Sequence, residues 1–310
     1  MILVGGEALV DLVPGVDGGF LVRPGGGPYN AARTIGRLDV PVGFLGSLST
    51  DQLGGRLRAG LADAGVELSL AVSTTRPTTL ALASIDAGGA ASYSFYLEGT
   101  SAARLATTDL PAQLPSDVEA IYTGTLSLLL EPVGTTLSLL AEREVGRRLV
   151  VVDPNIRADA TDDPDGLRSR VQRLIHAGAV IKANDADMAW LFPGVELGAA
   201  MARVVDQGSP LVVVTLAASG AVGLRRHGQP VRVAAPPVAV VDTIGAGDAF
   251  GGGLMAWWHD HGQLGRAAGR DGTALTDEEL AAALRFAGEV AGRTCARVGA
   301  DPPWRHELAG

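Results

Sequence analysis

The chain has 310 residues, of which 47% are hydrophobic, and this length allows either two domains or one large α/β domain with a substantial core. Its formal charge of −9 at pH 7 argues against a nucleic-acid or membrane-surface partner, because its Lys and Arg residues form no basic cluster. The single cysteine, Cys295, excludes an intrachain disulfide framework, and acidic residues in the apolar N-terminal stretch exclude a secretion signal, so we expect a soluble cytoplasmic protein that binds small molecules.

The N-terminal half predicts strands that alternate with helices, which is typical of a parallel sheet. In chain order we predict a strand at 1–4, an extended segment at 7–13 with a turn at 15–19, a helix at 28–38, a strand at 42–48 and a helix at 51–64. Residues 78–97 break this alternation, because two β-rich stretches flank Ala87-Gly88-Gly89. We interpret them as an antiparallel hairpin inserted between βα units.

The alternation resumes in the C-terminal half. We predict strands at 120–125, 149–153, 179–182, 210–216 and 238–241, helices at 132–145, 165–177 and 185–192, a hairpin at 220–233, and two final helices around a loop at 262–272. The chain has no internal repeat and no linker rich in proline, glycine or serine, so we predict a single domain with an inserted lid.

A glycine turn follows the predicted strand at 238–241. Gly245, Ala246 and Gly247 allow backbone N–H groups to converge, and a helix that begins near Gly247 adds unpaired amides and the positive end of its dipole. The turn therefore predicts an anion site that suits phosphate, with Asp248 beside it in the first helical turn. Residues 251–253 are all glycine and weaken the helix, so we expect other elements to approach it closely.

Two better-known glycine motifs do not match this turn. The dinucleotide fingerprint needs a glycine where Phe250 stands, and the P-loop needs a lysine directly after its glycine. The only lysine of the chain, Lys182, lies in a glycine-free segment. The turn must belong to another class of phosphate-binding motif.

Residues 242–248, with the sequence DTIGAGD, and the glycines at 252–253 resemble the C-terminal signature of the ribokinase-like (PfkB) carbohydrate kinases. Residues 26–32, GGPYNAA, resemble the N-terminal glycine motif of that family, and further similar segments lie at 153–157, 184–187, 215–220 and 297–300. The resemblance implies one three-layer α/β/α domain over residues 1–310, with a central, mostly parallel sheet. It also implies a small β-sheet lid formed by segments 9–24 and 75–101, through which a homodimer would form.

The resemblance further implies phosphoryl transfer from ATP, with Mg²⁺, to a sugar hydroxyl. Asp248 would be the base, and Gly245, Ala246 and Gly247 would form the anion hole. The alternative role of Asp248 is that of an N-terminal helix cap, and the alternative for Asp11 is turn chemistry.

The remaining site residues are implied by the same resemblance. The sugar would be bound by Asp11, Gly26, Gly27, Asn30, Tyr96 and Arg157, and ATP by Asn184, Thr215 and Gly220. Asp187 stands where the family has a glutamate, and its shorter side chain would reach Mg²⁺ through water or not at all. Ala217 replaces a family glycine. Asp242, Ile244 and Gly299 match positions that bind a monovalent cation, which here would be K⁺.

Three segments, 6–14, 95–99 and 153–157, resemble fructokinases more than ribokinases. The related 2-keto-3-deoxygluconate kinases bind a carboxylate and typically place an arginine directly after the lid tyrosine, where this chain has Leu97 followed by Glu98. We therefore expect fructose to be phosphorylated on a primary hydroxyl to fructose 6-phosphate, because a carboxylate would be left unpaired. The alternatives are a 2-keto-3-deoxygluconate kinase, a ribokinase, and, in another class, a non-catalytic regulator that binds a nucleotide or sugar; the complete signature around Asp248 favours an enzyme.

Overall fold

The structure is a computed structural model that describes residues 1–15, 18–85, 91–157, 160–269 and 274–308. Its strands are β1 (Ile2–Gly5), β2 (Leu9–Pro14), β3 (Phe20–Gly25), β4 (Val42–Leu45), β5 (Ser47–Ser49), β6 (Val72–Thr74), β7 (Leu80–Ile85), β8 (Ala91–Tyr96), β9 (Ala120–Gly124), β10 (Leu149–Asp153), β11 (Val180–Asn184), β12 (Leu211–Thr215), β13 (Ala221–Arg225) and β14 (Val231–Val233). Its helices are α1 (Gly27–Arg37), α2 (Gln52–Ala62), α3 (Val133–Glu144), α4 (Pro164–Ala177), α5 (Asp185–Leu191), α6 (Leu197–Gln207), α7 (Ala246–Asp260), α8 (Leu264–Ala267) and α9 (Asp277–Cys295).

The central sheet has the order β14-β13-β12-β11-β10-β9-β1-β4 within the described residues. The strands from β4 to β12 are parallel to their neighbours, and β13 and β14 are antiparallel. Val151 contributes to the core on the side of α1, α7 and α9, whereas Val150 and Val152 contribute to the core on the side of α3 to α6. The predicted three-layer α/β/α architecture is confirmed.

The parallel strands are buried on both faces, as their continuous β-branched runs indicate. β10, with the sequence LVVVD, is buried along its whole length. Because parallel strands end at the same edge of a sheet, their last residues, Asp153, Asn184 and Thr215, lie along one edge. That edge is where ligands bind in open α/β sheets.

A second sheet covers this edge and has the order β3-β2-β7-β8. Two antiparallel hairpins, β2–β3 and β7–β8, are joined by parallel pairing of β2 with β7. We call this sheet the lid. The predicted hairpin over 78–97 is confirmed, although Ala87-Gly88-Gly89 lie outside the described residues, as do Val16 and Asp17 of the first predicted turn.

The predicted strand at 238–241 is wrong. These residues form irregular chain, and the side chains of Val240 and Val241 are 60% and 58% exposed. Pro236 and Pro237 precede them and lack the N–H that a sheet ladder requires, and Val238 and Val240 line a cavity instead of entering the sheet. A β-branched run is therefore not by itself evidence of a buried strand here.

Three further elements differ from the predictions. Helix α6 was not predicted, the short helix α8 lies inside the predicted loop at 262–272, and the predicted strand at 42–48 is divided at Gly46 into β4 and β5. A Cβ atom at Gly46 would stand 2.3 Å from the carbonyl oxygen of Gly6, so the backbone bends at a position where only glycine fits.

Helix α7 packs between α1 and α9 and crosses β9, and its three consecutive glycines make these contacts. An added Cβ would lie 2.3 Å from the Tyr122 hydroxyl at Gly251, 2.6 Å from Thr34 Cβ at Gly252 and 3.1 Å from Val290 Cβ at Gly253. The expected close approach to this helix is confirmed. It fixes the N-terminal end of α7 against the edge of the sheet.

Replacement of Gly252 by alanine should therefore destabilise the protein by about 1–3 kcal/mol, because the methyl group overlaps α1 in a packed core. The matched control is Gly55→Ala in α2, where an added Cβ meets nothing within 4 Å, and it should stabilise the protein by up to about 1 kcal/mol through helix propensity. Urea unfolding measures both changes. Equal stabilisation by the two substitutions would contradict the packing account of α7.

Candidate active site

A cavity of about 870 Å³, which we call the cleft, lies between the lid, the carboxyl edge of the central sheet and the N-terminus of α7. Side chains from β2 and β8 of the lid, from the ends of β11 and β12, and from α9 line it. One end is polar and contains Asp11, Asn30, Asn155 and Arg157; the other is mostly apolar. Asp248 and the glycine turn lie among its lining residues as well.

The turn that precedes α7 is built around Gly245, which is in the left-handed region at φ 75° and caps the helix. The N–H of Ala246 donates to the Thr243 carbonyl at 3.2 Å, whereas no bond among the described residues takes up the N–H of Gly245 or Gly247. Two of the three amides predicted for the anion hole are thus unpaired at a helix N-terminus, where backbone dipoles favour an anion.

Asp248 lies in the first turn of α7 and is 7% exposed. Its Oδ2 accepts a hydrogen bond from Asn30 Nδ2 at 2.9 Å, and burial raises the pKa of its carboxyl to about 6, against the opposing effects of Asn30 and Lys182. Asn30 Oδ1 is buried with no partner among the described residues. A carboxylate with a pKa near neutrality and a side chain with a free acceptor therefore face the same space.

Gly26 and Gly27 begin α1 at the polar end of the cleft. Gly26 has φ 105°, and a Cβ there would lie 2.9 Å from the Glu7 carbonyl oxygen. At Gly27 an added Cβ would lie 2.4 Å from Thr125 Cγ2. Glycine is required at both positions, because the backbone of Glu7 approaches Gly26 and the side chain of Thr125 approaches Gly27. Both glycines also line the cleft.

Glu7 holds this corner together and was not predicted as a site residue. It is 2% exposed and accepts hydrogen bonds from Gly27 N at 3.2 Å, from Ser127 N at 2.9 Å, and from the hydroxyls of Thr125 and Ser127. Burial raises the pKa of its carboxyl against these bonds. The sequence indicates such a role for Glu7, because an acidic side chain within an apolar segment needs hydrogen-bond partners when it is buried.

Asp11 projects from β2 into the cleft. Burial, together with the negative charge of Asp248, raises the pKa of Asp11 to about 6, and the positive charge of Arg157 opposes this rise. Arg157 also lines the cleft, where its Nη1 donates to Asn155 Oδ1 at 2.7 Å. The predicted sugar-binding side chains Asp11, Asn30 and Arg157 are therefore brought together.

Tyr96 is not. It is 57% exposed and lies outside the cleft, whereas Tyr93 and Phe95 line it. Residues of a strand alternate between its faces, and the pairing of Phe95 with Ala81 and of Ala81 with Asp11 puts Phe95 on the face of Asp11. The alternation therefore corrects the expectation for Tyr96, because it places Tyr93 and Phe95, and not Tyr96, along the cleft.

A buried charged cluster lies below the first turn of α7. Lys182 Nζ contacts Asp153 Oδ2 at 2.6 Å, and the Tyr122 hydroxyl donates to the same oxygen at 2.7 Å. Burial, followed by the nearby charge of Asp153, raises the pKa of Tyr122 well above its usual value. The sequence contained a signal for this cluster, since Lys182 is an isolated lysine in an apolar strand.

The predicted nucleotide-binding residues lie at the apolar end of the cleft. Asn184, Thr215 and Gly220 line it, next to Ala217, which adopts a left-handed φ of 46° in place of the glycine of the family. The apolar lining is supplied by Pro236, Pro237, Val238, Leu284, Gly288, Ala291 and Gly292. A pocket of this composition fits a flat aromatic base.

Asp187 is placed differently from the prediction. It is 2% exposed and does not line the cleft, and its Oδ1 and Oδ2 accept hydrogen bonds from the backbone N–H groups of Ile156 and Asn184 at 2.8 and 3.0 Å. With Asn184 it forms a capping box at the start of α5. Its carboxylate therefore does not fit the predicted contact with Mg²⁺, and the described residues contain no group of three or more acidic, His or Cys side chains that could hold a metal ion.

The residues predicted to bind a monovalent cation lie together beside α7. The Asp242 carboxylate accepts hydrogen bonds from the N–H of Ile244 at 3.0 Å and from that of Gly299 at 2.8 Å. These bonds join the turn before α7 to the segment after α9.

Among the helices in the described part of the chain, none is both long and apolar enough to cross a membrane.

Comparison with known proteins gives concordant results. The model of the pfkB family of carbohydrate kinases matches residues 1–307. The chain is 36% identical over 260 residues to a fructokinase of Rhizobium leguminosarum bv. trifolii, and this alignment covers 83% of this chain and 79% of the relative. It is 30% identical over 259 residues to a fructokinase of Klebsiella pneumoniae, in an alignment that covers 83% of this chain and 84% of that relative. The crystal structure of a fructokinase from Xylella fastidiosa with bound ATP is similar to it with a TM-score of 0.89 and 25% identity, over 99% of this chain and 97% of that one.

The glycine signatures at both ends of the chain, their convergence on one cleft and these similarities lead to the same conclusion. The chain belongs to the pfkB family of carbohydrate kinases and is a sugar kinase.

Proposed function

We propose that the protein phosphorylates fructose on its primary hydroxyl, with ATP as the phosphate donor. The observation that carries this proposal is the position of Asp248, buried between the polar and apolar ends of the cleft with Asn30 as its hydrogen-bond partner. The sugar would occupy the polar end, against Asp11, Asn30 and Arg157. The adenine ring would occupy the apolar end, and the phosphates would then extend toward the N-terminus of α7.

In the proposed reaction the sugar hydroxyl oxygen bonds to the terminal phosphorus of ATP as the bond from that phosphorus to ADP breaks. The hydroxyl proton passes to Asp248. A carboxyl whose pKa is raised to about 6 is still mostly ionised at neutral pH, yet it accepts a proton more readily than an exposed aspartate would. The unpaired N–H groups of Gly245 and Gly247 would stabilise the charge on the transferred group.

Fructose is favoured over a sugar acid by the charges in the cleft. Its ionisable lining residues include four acids, Glu7, Asp11, Asp185 and Asp248, but only two cations, Arg157 and Lys182. Of these, Lys182 lies beside the turn before α7, away from Arg157 and the polar end where the sugar would bind. Leu97 packs against an apolar cluster of Leu9, Ala81 and Leu126 and provides no charge. A carboxylate substrate would thus meet Arg157 alone, and the relatives named fructokinase support the same choice.

Mg²⁺ and K⁺ belong to the proposal in different ways. Mg²⁺ would accompany ATP, held mainly by phosphate oxygens, as is usual for this ion in kinases. K⁺ would lie beside the α7 turn, where Asp242 draws Ile244 and Gly299 together. No step of the mechanism above depends on either ion.

Asp248→Asn should lower kcat by about 10²–10⁴-fold while the dissociation constants of sugar and nucleotide change little, because the amide cannot accept the proton. In the wild type, kcat/KM should decline as the pH falls through about 6, since the raised pKa of Asp248 then leaves the base protonated. Asp165→Asn, at an exposed acid on α4, is the matched control. Near-normal turnover of Asp248→Asn would show that Asp248 only caps the helix.

Fructose should be preferred to ribose and to 2-keto-3-deoxygluconate by at least about tenfold in kcat/KM, because the acid would leave a charge unpaired and ribose would leave hydrogen-bonding groups unfilled. A coupled assay of ADP release over this panel measures the ratios. A clear preference for the acid would overturn the interpretation of Leu97 and of the acidic cleft.

Potassium should raise the rate of phosphoryl transfer relative to a bulky organic cation at equal ionic strength, because a bound cation beside the α7 turn would order the anion site. Initial rates in the two salts make the comparison. Equal rates would remove the proposed cation site.

We also propose that the protein dimerises through the lid. On the face opposite Asp11, the side chains of Phe20, Val22 and Tyr96 are 56%, 38% and 57% exposed, which is unusual for a group of large apolar residues. Phe20→Asp should convert the dimer to a monomer in sedimentation velocity, whereas Leu139→Asp, at an exposed apolar residue of α3, should not. A wild type that sediments as a monomer at micromolar concentration would contradict this assembly.

A further inference from the structure

Lys182 is the only lysine of the chain, and it is buried at the carboxyl edge of the central sheet. The register of β10 and β11, in which Val152 pairs with Ile181, puts Lys182 opposite Asp153. Side chains alternate along a strand, so Lys182 projects to the same side of the sheet as Val180, which belongs to the core that α7 helps to form. The ammonium group is thereby directed toward the N-terminal end of α7.

The ammonium group is close to the anion site. A Cβ added to Gly247 would lie 3.5 Å from Lys182 Nζ, and within 4 Å it would meet no other atom of the described residues outside its own stretch of α7. Lys182 lines the cleft, whereas its partner Asp153 does not. Glycine at position 247 therefore leaves the space between Lys182 and the unpaired amides of the turn free for a ligand.

The hydrogen bonds of Lys182 are incomplete without a ligand. An ammonium group has three donors, and within the described residues its one bond is to Asp153 Oδ2. Asp153 in turn has a buried Oδ1 with no partner in the described part of the chain, so the pair does not satisfy all of its hydrogen-bonding groups. A buried cation with spare donors, beside two unpaired backbone amides, is suited to bind an oxyanion.

We propose that Lys182 is a catalytic residue that donates a hydrogen bond to a non-bridging oxygen of the transferred phosphoryl group. The inference rests on the proposed sugar kinase reaction. As the phosphorus–oxygen bond to ADP breaks and the bond to the sugar oxygen forms, the hydroxyl proton goes to Asp248. Lys182 forms no covalent bond and keeps its protons, while Asp153 and Tyr122 act as positioning residues that hold the ammonium group under α7.

The alternative is that Lys182 and Asp153 form a buried ion pair of purely structural importance. The two roles can be separated because loss of Lys182 alone would leave Asp153 unpaired and destabilise the fold for electrostatic reasons. The double variant Lys182→Met/Asp153→Asn removes both charges and keeps similar side-chain volumes. It should unfold at a temperature close to that of the wild type, so its activity reports on catalysis.

The experiment measures kcat, KM and melting temperature for the wild type, the double variant and Lys182→Arg, with fructose and ATP. We expect the double variant to remain folded and to lose about 10²–10³-fold in kcat, with KM for both substrates changed by less than about tenfold, and Lys182→Arg to recover part of the loss. A folded double variant whose kcat lies within about threefold of the wild type would overturn the inference while leaving the sugar kinase proposal intact.

A binding measurement keeps the inference testable if the wild type phosphorylates none of the sugars, a result that would refute the proposed function instead. Calorimetry with ADP and with a non-hydrolysable ATP analogue then compares the wild type with the double variant. We expect the analogue to lose at least about tenfold in affinity and ADP to lose less than about threefold, because only the analogue carries the terminal phosphate. Equal losses for the two nucleotides would contradict a contact between Lys182 and that phosphate.

Discussion

The tight packing of α7 is the constraint on which the rest of the site depends. Glycines at 251–253 allow Tyr122 of β9, α1 and α9 to approach the helix closely: an added Cβ would overlap Tyr122 and Thr34 at the first two positions and would crowd Val290 at the third. The N-terminus of α7 is thus held at the carboxyl edge of the sheet, where the ends of β10, β11 and β12 meet. Because the helix cannot shift, Asp248 and the unpaired amides of the turn keep a fixed position relative to Asn30 on α1.

The charges that line the cleft differ on the two sides of Asp248. At the polar end of the cleft, burial raises the pKa of both Asp11 and Asp248, and the negative charge of Asp248 raises that of Asp11 further. Near the phosphate end, two amides and Lys182 present positive charge. The proposed arrangement, with a neutral sugar on one side of Asp248 and a polyanionic nucleotide on the other, would match these local charges in spite of the net negative charge of the protein.

Much of the fold could be predicted from the sequence, because hydrophobic periodicity and glycine turns report local structure directly. The parallel strands, the lid hairpins and the glycine turn at the start of α7 are examples, and the two glycine signatures identified the family. The failures have physical causes. Val238, Val240 and Val241 look like a strand, but two prolines precede them, and their side chains remain partly or largely exposed instead of entering the sheet.

The site residues that sequence analysis misplaced depend on orientation and long-range contacts. Tyr96 and Phe95 are adjacent in sequence, and only the pairing of β8 with β7 and of β7 with β2 determines which one faces the cleft. Asp187 occupies a motif position, yet backbone N–H groups already bind both of its oxygens. Glu7 and Lys182 carried a signal, a charge in an apolar run, but their partners lie far away in the sequence.

A crystal structure of the protein with fructose and a non-hydrolysable ATP analogue would test the central claim most directly. The account predicts that the primary hydroxyl oxygen of fructose lies within about 3.2 Å of the Asp248 carboxylate, and that the terminal phosphate accepts hydrogen bonds at the N-terminus of α7. A sugar bound with no hydroxyl near Asp248, or a terminal phosphate placed away from α7, would contradict it.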